Sequence, residues 1–348
     1  MSSYNYSFAV LIKFMNILLT GGTGYIGSHT AIELIKAGHK VIILDNLSNS
    51  SISVLDDIHE ITNVKPVFVE GDIADRKIIL SIFSNQNINM VIHFAGLKSV
   101  NESAKMPIEY YKNNFVGALN LISVMSEMNV KNLIFSSSAS VYGPPATLPI
   151  TENMPTIPVS VYGKSKLYIE NMISDVAASD PDWRFVILRY FNPVGAHESG
   201  RIGERSIGVP HNLAPYIAEV ILEKQEHLKV YGDDYPTPDG TGVRDYIHVV
   251  DLALGHASAI NYINTQRSGC EIFNLGTGQG TSVFKMIDSF ERVIGKRINY
   301  KIVDRRVGDV AECFADVTKA KKLLGWEATK SLDDMCKSAF LYSSKILN

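Results

Sequence analysis

Short apolar runs alternate with helix-like stretches along the first half of the chain. The runs are at residues 17–19, 41–44, 67–69, 90–94, 133–135 and 185–188. Such alternation is typical of parallel strands that are joined by crossover helices. We therefore predict an α/β fold: a Rossmann-type doubly wound parallel sheet, followed by a smaller mixed α/β C-terminal domain.

The stretches between these runs carry helix signals of their own. The first places Ala31 and Leu34 on one face and ends near Gly38, where a glycine C-cap is expected. A later helix begins at Pro107, because proline suits the first helical turn. A third helix is predicted over residues 162–178.

The rhythm changes after Phe191, where proline and glycine become concentrated in loops. In this smaller region the pattern predicts helices at 213–222, 250–263, 283–294 and 332–341, and strands at 228–231, 272–275 and 300–303. We predict a first domain over residues 15–191, which also receives part of 240–270, and a second domain mainly over 192–348. The two are expected to pack around a cleft.

Composition narrows the classes of function. The chain has 348 residues and a formal net charge of -3, and no basic block stands out, so neither nucleic acid nor an anionic membrane is expected as a partner. Its 3 scattered cysteines fit reduced thiols in a cytoplasmic protein, without disulfide or metal site. The apolar run at 8–12 is too short to span a bilayer, and residues 1–14 are interpreted as an N-terminal extension, with an upstream start codon before Met15 as the alternative.

A glycine-rich turn follows the first predicted strand. Gly21, Gly24 and Gly27 stand where a helix begins, so backbone amides there can approach a pyrophosphate. The alternative is a plain strand-to-helix turn. Asp45 favours the nucleotide site, because it ends the second strand about 20 residues on, where a carboxylate can bind the adenosine ribose. A carboxylate repels a 2′-phosphate, so NAD is predicted rather than NADP.

A tyrosine and a lysine lie four residues apart in the third helix. Tyr162 and Lys166 would share one helix face, downstream of a strand that ends at Ser138. An ammonium beside a phenol favours the phenolate, so we expect the pKa of Tyr162 to be lowered enough for it to act as a base. The alternative is an exposed helix face with no chemical role.

Two further polar residues stand at predicted strand ends, where doubly wound sheets bind ligands. Asp72 follows the strand at 67–69, and His93 ends the strand at 90–94. Each also has a structural interpretation: Asp72 can cap a helix, and His93 can be a core histidine with its hydrogen bonds satisfied.

Several longer segments carry a specific resemblance. They lie at residues 20–30, 91–98, 135–143, 189–196, 240–249 and 305–309. In this order, and over a chain from Met15 nearly to the C-terminus, they resemble the extended short-chain dehydrogenase/reductase superfamily and, within it, the UDP-galactose 4-epimerase family. The resemblance implies an isomerase that interconverts UDP-glucose and UDP-galactose with tightly bound NAD.

The resemblance also implies catalytic roles. Tyr162 would take the proton from the sugar 4-hydroxyl while NAD takes hydride from C4, and the 4-keto sugar would then turn over and be reduced on its other face. Lys166 would lower the pKa of Tyr162 and bind the nicotinamide ribose. Ser138 would position the hydroxyl and relay its proton.

The residues that the resemblance assigns to ligands form two sets. The cofactor set is Gly21, Gly24, Tyr25, Ile26, Gly27, Asp45, Asn46, Ser48, Asn49, Asp72, Ile73, Phe94, Ala95, Gly96, Lys98, Asn113, Ser136, Tyr162, Lys166, Tyr190 and Phe191. The substrate set is Lys98, Ser138, Tyr162, Asn192, Asn212, Leu213, Lys229, Val230, Tyr231, Arg244, Arg306, Asp309 and Cys313.

Within the substrate set, charge and shape suggest how the nucleotide is held. Arg244 and Arg306 can neutralise the diphosphate, since guanidinium groups match its oxygens. Asp309 would accept from the uridine ribose, and Tyr231 would lie against the uracil face. The alternative for Arg305, Arg306 and Asp309 is a surface ion-pair cluster.

Cys313 occupies a position where this family carries either a tyrosine or a smaller residue beside the hexose. A cysteine leaves room at the sugar C2 substituent, so UDP-GlcNAc and UDP-GalNAc are predicted as further substrates. The alternative is that Cys313 is simply a small buried apolar residue.

Other functions are known on this fold, and the sequence argues against them. A nucleotide-sugar 4,6-dehydratase of this superfamily has an Asp-Glu pair directly after the strand serine or threonine, and the related decarboxylases have a glutamate there; this chain has Ala139 and Ser140. A non-catalytic NAD(H)-sensing regulator would not need Ser138, Tyr162 and Lys166 together. The family often forms homodimers through two helices, here near 107–128 and 162–178, and a homodimer is predicted.

Overall fold

The computed structural model describes residues 14–205, 210, 212–265, 268–306 and 308–347. The predicted N-terminal extension, residues 1–14, lies outside this part of the chain except for Phe14. No helix within the described ranges has both the length and the apolar composition that crossing a membrane requires.

Strands and helices alternate through the described residues. The strands are β1 (Asn16–Thr20), β2 (Lys40–Asp45), β3 (Val67–Glu70), β4 (Met90–His93), β5 (Asn132–Ser138), β6 (Arg184–Tyr190), β7 (Asn192–Val194), β8 (Leu228–Tyr231), β9 (Val243–Arg244), β10 (Tyr246–His248), β11 (Gly269–Leu275), β12 (Thr281–Ser282), β13 (Tyr300–Val303) and β14 (Glu312–Cys313). The α-helices are α1 (Tyr25–Lys36), α2 (Val54–Thr62), α3 (Arg76–Gln86), α4 (Val100–Lys105), α5 (Pro107–Tyr110), α6 (Gly117–Glu127), α7 (Val161–Ser179), α8 (Leu213–Ile221), α9 (Val249–Thr265), α10 (Val283–Ile294) and α11 (Leu332–Leu347). Two π-helical segments, Tyr111–Val116 and Ala320–Leu324, and a 3₁₀ turn, Ala139–Val141, complete the helical structure of this part of the chain.

The central feature is a 7-stranded sheet in the order β11-β6-β5-β4-β1-β2-β3. Every neighbouring pair in it is parallel. Leu18 packs into the apolar cluster on one face of the sheet, and Ile17 and Leu19 pack into the cluster on the other. Burial on both faces explains why these strands are continuous apolar runs rather than alternating ones, and the predicted Rossmann-type fold is confirmed.

The chain order reverses between β1 and β4, because β2 and β3 lie on one side of β1 whereas β4, β5 and β6 lie on the other. In an open parallel sheet, ligands bind beyond the carboxyl ends of the strands at such a switch point. The carboxyl ends of β1, β4 and β5 therefore define where a site is to be expected.

The first predicted helices form where the sequence indicates. α1 ends at Lys36, and Gly38 has a φ of 88°, the left-handed conformation that glycine adopts readily after a helix. The helix predicted from Pro107 runs through α5 and α6 and is interrupted by the π segment. α7 begins after Ser160, whose hydroxyl accepts a hydrogen bond from the Gly163 backbone amide at 3.0 Å.

In the C-terminal region the helices α8, α9 and α10 and the strands β8 and β13 lie within two residues of their predicted bounds. α11 extends to Leu347 rather than ending at 341. One placement was wrong: the strand at 272–275, assigned to the smaller region, is part of β11. It pairs with β6 along its whole length and forms the edge of the large sheet, because α9 carries the chain back across the sheet face and packs against α1.

The smaller region has its own core, in which side chains of α8, α10 and α11 pack against β8 and β10. Short strands join it to the large sheet. β9 pairs with β12 and β14, and Arg244 is the register partner of Cys313. β7 follows β6 after one residue and pairs with β10, so the end of the large sheet leads directly into the small region.

Candidate active site

The glycine-rich turn brings the backbone of β1 close to the segment after β4. Gly21 has a φ of 72°, and a Cβ there would lie 2.7 Å from the Ala95 backbone nitrogen. A Cβ on Gly27 would lie 2.4 Å from the Gly21 carbonyl oxygen. Gly24 precedes α1 without a side-chain cap, so the first backbone N–H groups of this helix remain able to bind an anion.

Asp45 lies beside this turn and is held by three donors. Its carboxylate accepts from the Thr23 amide at 3.1 Å, the Leu47 amide at 3.0 Å and the Ser50 hydroxyl at 3.2 Å. The Thr23 and Ser50 hydroxyls are 2.7 Å apart. Two carboxylate oxygens offer about four acceptor sites, so Asp45 keeps capacity for a ribose hydroxyl. Thr23 and Ser50 were missed by the sequence reasoning, although a hydroxyl residue inside the glycine turn was a signal.

Most of the predicted cofactor residues lie at or after the carboxyl ends of β1 to β6, and three lie on helical segments. They are Gly21, Gly24, Tyr25, Ile26 and Gly27 after β1, Asp45, Asn46, Ser48 and Asn49 at β2, Asp72 and Ile73 after β3, Phe94, Ala95, Gly96 and Lys98 after β4, Ser136 in β5, Tyr190 and Phe191 at β6, and Asn113, Tyr162 and Lys166 on helices. Asn46 donates to Asp72 at 2.7 Å, which joins the ends of β2 and β3.

Two of these side chains point away from the strand ends. The Tyr25 hydroxyl donates to the Gly195 carbonyl at 2.6 Å, and Ile73 packs into an apolar cluster of the sheet. Only their backbone atoms can contribute to a nucleotide site. The predicted helix cap is also misplaced by three residues, since Asp75 rather than Asp72 accepts from the first turn of α3.

Tyr162, Lys166 and Ser138 converge at the end of β5. The Ser138 hydroxyl lies near enough to the Tyr162 phenol to lower its pKa, and the buried Lys166 ammonium donates to the Ser136 carbonyl at 2.8 Å. The Ser138 hydroxyl is also 3.1 Å from that of Ser140. The arrangement places a phenol, a hydroxyl and a cation within one pocket, which is the chemistry required to remove a proton from an alcohol.

The direction of the Tyr162 pKa is opposite to the one expected. Burial raises the pKa of Tyr162, and the nearby Ser138 hydroxyl offsets this rise only in part. Burial also lowers the pKa of Lys166 to about 8, while the charge of Glu170 raises it. The predicted lowering of the Tyr162 pKa is therefore wrong for the protein by itself, because burial disfavours the charged phenolate.

Asn114, the neighbour of the predicted Asn113, holds the loop after β4 in place beside this group. Asn114 in the π segment accepts from the Leu97 amide at 2.8 Å and donates to the Leu97 carbonyl at 3.0 Å and to Ser165 at 3.1 Å. The predicted Asn113 also accepts from the Leu97 amide, at 3.2 Å. Asn114 was not assigned a role from the sequence; its contacts fix the loop after β4 against α7.

His93 is a core histidine. It is buried, its Nδ1 lies 2.7 Å from the Thr20 hydroxyl, and burial together with the Lys166 charge lowers its pKa to about 3. A neutral imidazole follows at physiological pH. Its Nε2 has no partner in the described residues, so the expectation that all its hydrogen bonds are satisfied holds for one nitrogen only.

A cavity of about 210 Å³ opens in the smaller region beside β7. Predicted substrate residues that line it are Asn192, Asn212, Leu213, Lys229, Val230, Tyr231, Arg244, Arg306 and Asp309. The predicted residues Lys98, Ser138, Tyr162 and Cys313 do not line it. Lining residues that the sequence reasoning missed include Glu204, Tyr216 and Tyr246; they come from three separate elements, and no local pattern connects them.

The arginines at this cavity already have partners. Arg244 forms an ion pair with Asp309, and the Arg306 guanidinium lies 3.9 Å from the centre of the Tyr231 ring. A uracil on that face of Tyr231 would have to displace Arg306. Arg305 instead pairs with the exposed Asp234 at 2.6 Å, so the surface ion-pair interpretation holds for this arginine.

The catalytic group and the cavity are connected by adjacent strands. Ser138 is the register partner of Tyr190, the last residue of β6, and Asn192 at the cavity is two residues further on. Cys313 packs against a small apolar cluster that contains Phe191, and Ala139 packs against the same cluster. It therefore lies between the cavity residue Arg244, its register partner, and the end of β5.

Comparison with known proteins gives the family. A family model described as GDP-mannose 4,6 dehydratase matches residues 18–339. Among curated proteins, a UDP-glucose 4-epimerase from Dictyostelium discoideum is 52% identical over 328 residues, which cover 94% of this chain and 95% of that protein.

Two solved structures are similar over almost the whole chain. A UDP-glucose-4-epimerase from Stenotrophomonas maltophila, with bound NAD and formylated UDP-arabinopyranose, has a TM-score of 0.94 and 46% identity, covering 96% of this chain and 99% of the other. A UDP-glucose 4-epimerase from Bifidobacterium longum, in complex with NAD+ and UDP, has a TM-score of 0.91 and 50% identity, covering 95% and 98%. The chain belongs to the UDP-glucose 4-epimerase family of the extended short-chain dehydrogenase/reductase superfamily.

Proposed function

We propose that this protein is an isomerase that interconverts UDP-glucose and UDP-galactose with tightly bound NAD. The observation that carries the proposal is the convergence of Ser138, Tyr162 and Lys166 at the end of β5. This group stands at the end of β5, next to the strand that leads into a cavity lined by two arginines. Relatives of about half-identical sequence carry the corresponding name.

The residues at the strand ends fit NAD. The uncapped N-terminus of α1 can bind the pyrophosphate, and the crowding around Gly21 and Gly27 leaves no room for side chains there. Asp45 can accept from the adenosine ribose. Bound NAD supplies a hydride acceptor and then a hydride donor for C4 of the sugar, and the positive charge of its oxidised ring favours the Tyr162 phenolate.

Within the reaction, Tyr162 and Ser138 handle the proton. Ser138 holds the sugar 4-hydroxyl, and the Tyr162 oxygen takes its proton when C4 is oxidised and returns it when C4 is reduced. Lys166 stabilises the phenolate charge. Because the same proton and hydride are given back, no net oxidation occurs, and the configuration at C4 inverts once the keto sugar has turned over.

The cavity fits a nucleotide diphosphate rather than a hexose. Arg244 and Arg306 bring two positive charges to it, and Asn192 and Asn212 bring amides. Guanidinium groups bind phosphate oxygens through paired hydrogen bonds. Firm binding of the nucleotide allows the sugar to rotate without loss of the keto intermediate, since rotation needs few contacts on the sugar itself.

A dehydratase is not supported, despite the description of the family model. Elimination of water needs an acid and a base of its own. In the positions after Ser138, Ala139 and Ser140 form a 3₁₀ turn and contribute no carboxylate.

We further propose that UDP-GlcNAc and UDP-GalNAc are substrates. Cys313 is mostly buried, and burial raises the pKa of its thiol to about 11, so it is a neutral, small group at physiological pH. It lies beside the cluster at the end of β5, where a tyrosine would occupy additional volume. On this proposal, residue 313 sets part of the space next to the reacting sugar.

We also propose a division into an NAD-binding domain over 15–191, with part of 240–270, and a UDP-sugar-binding domain mainly over 192–348.

We also propose a homodimer that forms through α5, α6 and α7. In support of the dimer, apolar side chains are exposed on these helices: Ile108 is 67% exposed, Leu119 43% and Tyr168 47%. Light scattering should give twice the chain mass. Leu119→Glu should yield monomers, whereas Leu254→Glu on α9 should not; a monomeric wild-type protein would refute the dimer.

The function is tested by incubating purified protein with UDP-galactose or UDP-GalNAc, without added NAD, and following the anomeric protons by NMR. Conversion of both is expected, and Tyr162→Phe should convert neither. Conversion of UDP-galactose alone would support the proposed 4-epimerase function and reject UDP-GlcNAc and UDP-GalNAc as substrates. No conversion of either by the wild-type protein, even after NAD is added, would overturn the proposed function.

A further inference from the structure

A buried ion pair lies directly behind the catalytic strand end. Glu170 on α7 and Arg189 on β6 have only 3% and 4% of their side chains exposed. Arg189 donates to the two carboxylate oxygens of Glu170, at 3.1 Å from Nε and 2.6 Å from Nη2. A buried ion pair is often no more stabilising than apolar residues of the same size, so stability alone does not account for it.

The pair is attached to the catalytic group from two sides. Tyr162, Lys166 and Glu170 follow at four-residue steps and therefore share one face of α7. Lys166 donates to the Ser136 carbonyl at 2.8 Å, and the Ser137 hydroxyl donates to Glu170. These two serines directly precede Ser138, so α7 holds consecutive residues of β5 up to the catalytic hydroxyl.

We propose that Glu170, held in place by Arg189, is a positioning residue for the reaction: its carboxylate keeps Lys166 as an ammonium ion and fixes the end of β5. The inference rests on the proposed function, because it gives Glu170 a part in that reaction. Glu170 itself touches neither of the reacting side chains, Ser138 and Tyr162, through any hydrogen bond in the described residues; it acts through Lys166 and Ser137.

The charges around Lys166 support this role. Burial lowers the pKa of Lys166 to about 8, and the charge of Glu170 is the influence that raises it. The other ionisable groups that face this cluster are Tyr162 on α7, His93 on β4, Tyr142 after the 3₁₀ turn, Arg189 and Tyr190 on β6, and Cys270 on β11. Burial holds the tyrosines, the histidine and the thiol in their neutral forms.

Replacing Glu170 by glutamine removes the negative charge of the side chain while keeping its shape, so the effect of the charge can be measured alone. Glutamine has nearly the same size, but it offers no negative charge to Lys166 and leaves Arg189 as an unpaired cation nearby. Both changes favour the neutral amine. We expect the Lys166 titration to move down by about one pH unit, which is about a fivefold loss of the ammonium form at pH 8.

The test is a ¹³Cε-lysine NMR titration of the full chain, with the Lys166 signal assigned by its loss in Lys166→Arg. Glu170→Gln should lower the midpoint from near pH 8, and the alkaline limb of the kcat profile should move with it. Asp251→Asn is the matched control: Asp251 is also a buried carboxylate, which accepts from the Lys330 amide at 2.8 Å, and its loss should reduce stability without moving the titration.

If Glu170→Gln does not fold, the double variant Glu170→Gln with Arg189→Gln removes the unpaired charge; its midpoint is compared with that of Arg189→Gln alone, so that the two proteins differ only at Glu170. A lowered midpoint in either variant supports the proposal, and an unchanged midpoint overturns it. The titration is read without substrate. An inactive wild-type protein would therefore count against the proposed function and not against the coupling of Glu170 to Lys166.

Discussion

The Arg306 guanidinium lies 3.9 Å from the centre of the Tyr231 ring, so the cationic side chain covers the aromatic face that a uracil would use. The contact is a cation–π interaction, which contributes about 0.5–2 kcal/mol. If the uracil of a UDP-sugar binds that face, as proposed, it must displace the guanidinium, and the diphosphate would offer Arg306 a stronger partner. On this proposal Arg306 exchanges one contact for another when substrate binds.

Arg306→Ala should weaken substrate binding more than it slows the chemical step. A hydrogen bond to a charged group contributes about 1.5–3 kcal/mol, which corresponds to about a 10- to 100-fold lower kcat/KM, with most of the change in KM. Steady-state kinetics with UDP-galactose would show this. Arg305→Ala is the matched control, because Arg305 pairs with Asp234 and does not line the cavity; equal effects of the two variants would argue against the assigned role.

Cys313→Tyr should remove turnover of the acetamido sugars selectively. The added ring would fill space next to the cluster at the end of β5, and we expect at least about a tenfold fall for UDP-GalNAc with a much smaller change for UDP-galactose. Competition assays with both substrates measure the ratio directly. Cys313→Ser keeps the volume and should behave like wild type; a tyrosine variant with unaltered selectivity would rule out this position as the gate.

Gly21→Ala should lower both stability and NAD occupancy. The added Cβ would lie 2.7 Å from the Ala95 amide nitrogen, in a backbone with a φ of 72°. Strain of this kind costs about 1–3 kcal/mol, and here a steric clash is added. Gly38→Ala is the control for backbone strain without a clash, because Gly38 has a similar φ of 88° but a Cβ there would meet nothing within 4 Å. Thermal unfolding and bound-NAD absorbance would compare the two; similar losses in both would contradict the clash.

Stability should fall as the pH is lowered below about 6.5, because buried histidines must be protonated on unfolding. Burial lowers the pKa of His29 to about 3 and of His248 to about 4, from 6.5. Between these values the unfolded chain binds protons that the folded protein does not, so the free energy of unfolding rises with pH. Each group contributes up to about 1.4 kcal/mol per pH unit. Urea unfolding at pH 7 and pH 5 would measure the slope, which His248→Gln should reduce; an identical slope would refute the assignment.

The sequence predicted those features that depend on neighbouring residues. The turn at Gly21 and the spacing of Tyr162 and Lys166 are set within one strand-to-helix connection or one helix, so a local pattern suffices. The same holds for β8 and α10. The resemblance then brought Arg244 and Arg306 together, although they lie far apart in the chain.

Features set by distant contacts were not predictable in this way. β11 belongs to the large sheet because it pairs with β6, and its own composition does not reveal that partner. Ser50 meets Thr23 only after the chain has formed β2. The direction of the Tyr162 pKa depends on how deeply the pocket is buried, and burial is a property of the whole fold.

In the proposed reaction, hydrogen leaves C4 of the sugar and returns to the same carbon without exchange with water. The most direct measurement supplies UDP-galactose labelled with deuterium at C4, in unlabelled water, and determines the label in the UDP-glucose formed by NMR and mass spectrometry. We expect deuterium to be retained at C4. Replacement of the label by hydrogen from water would contradict it.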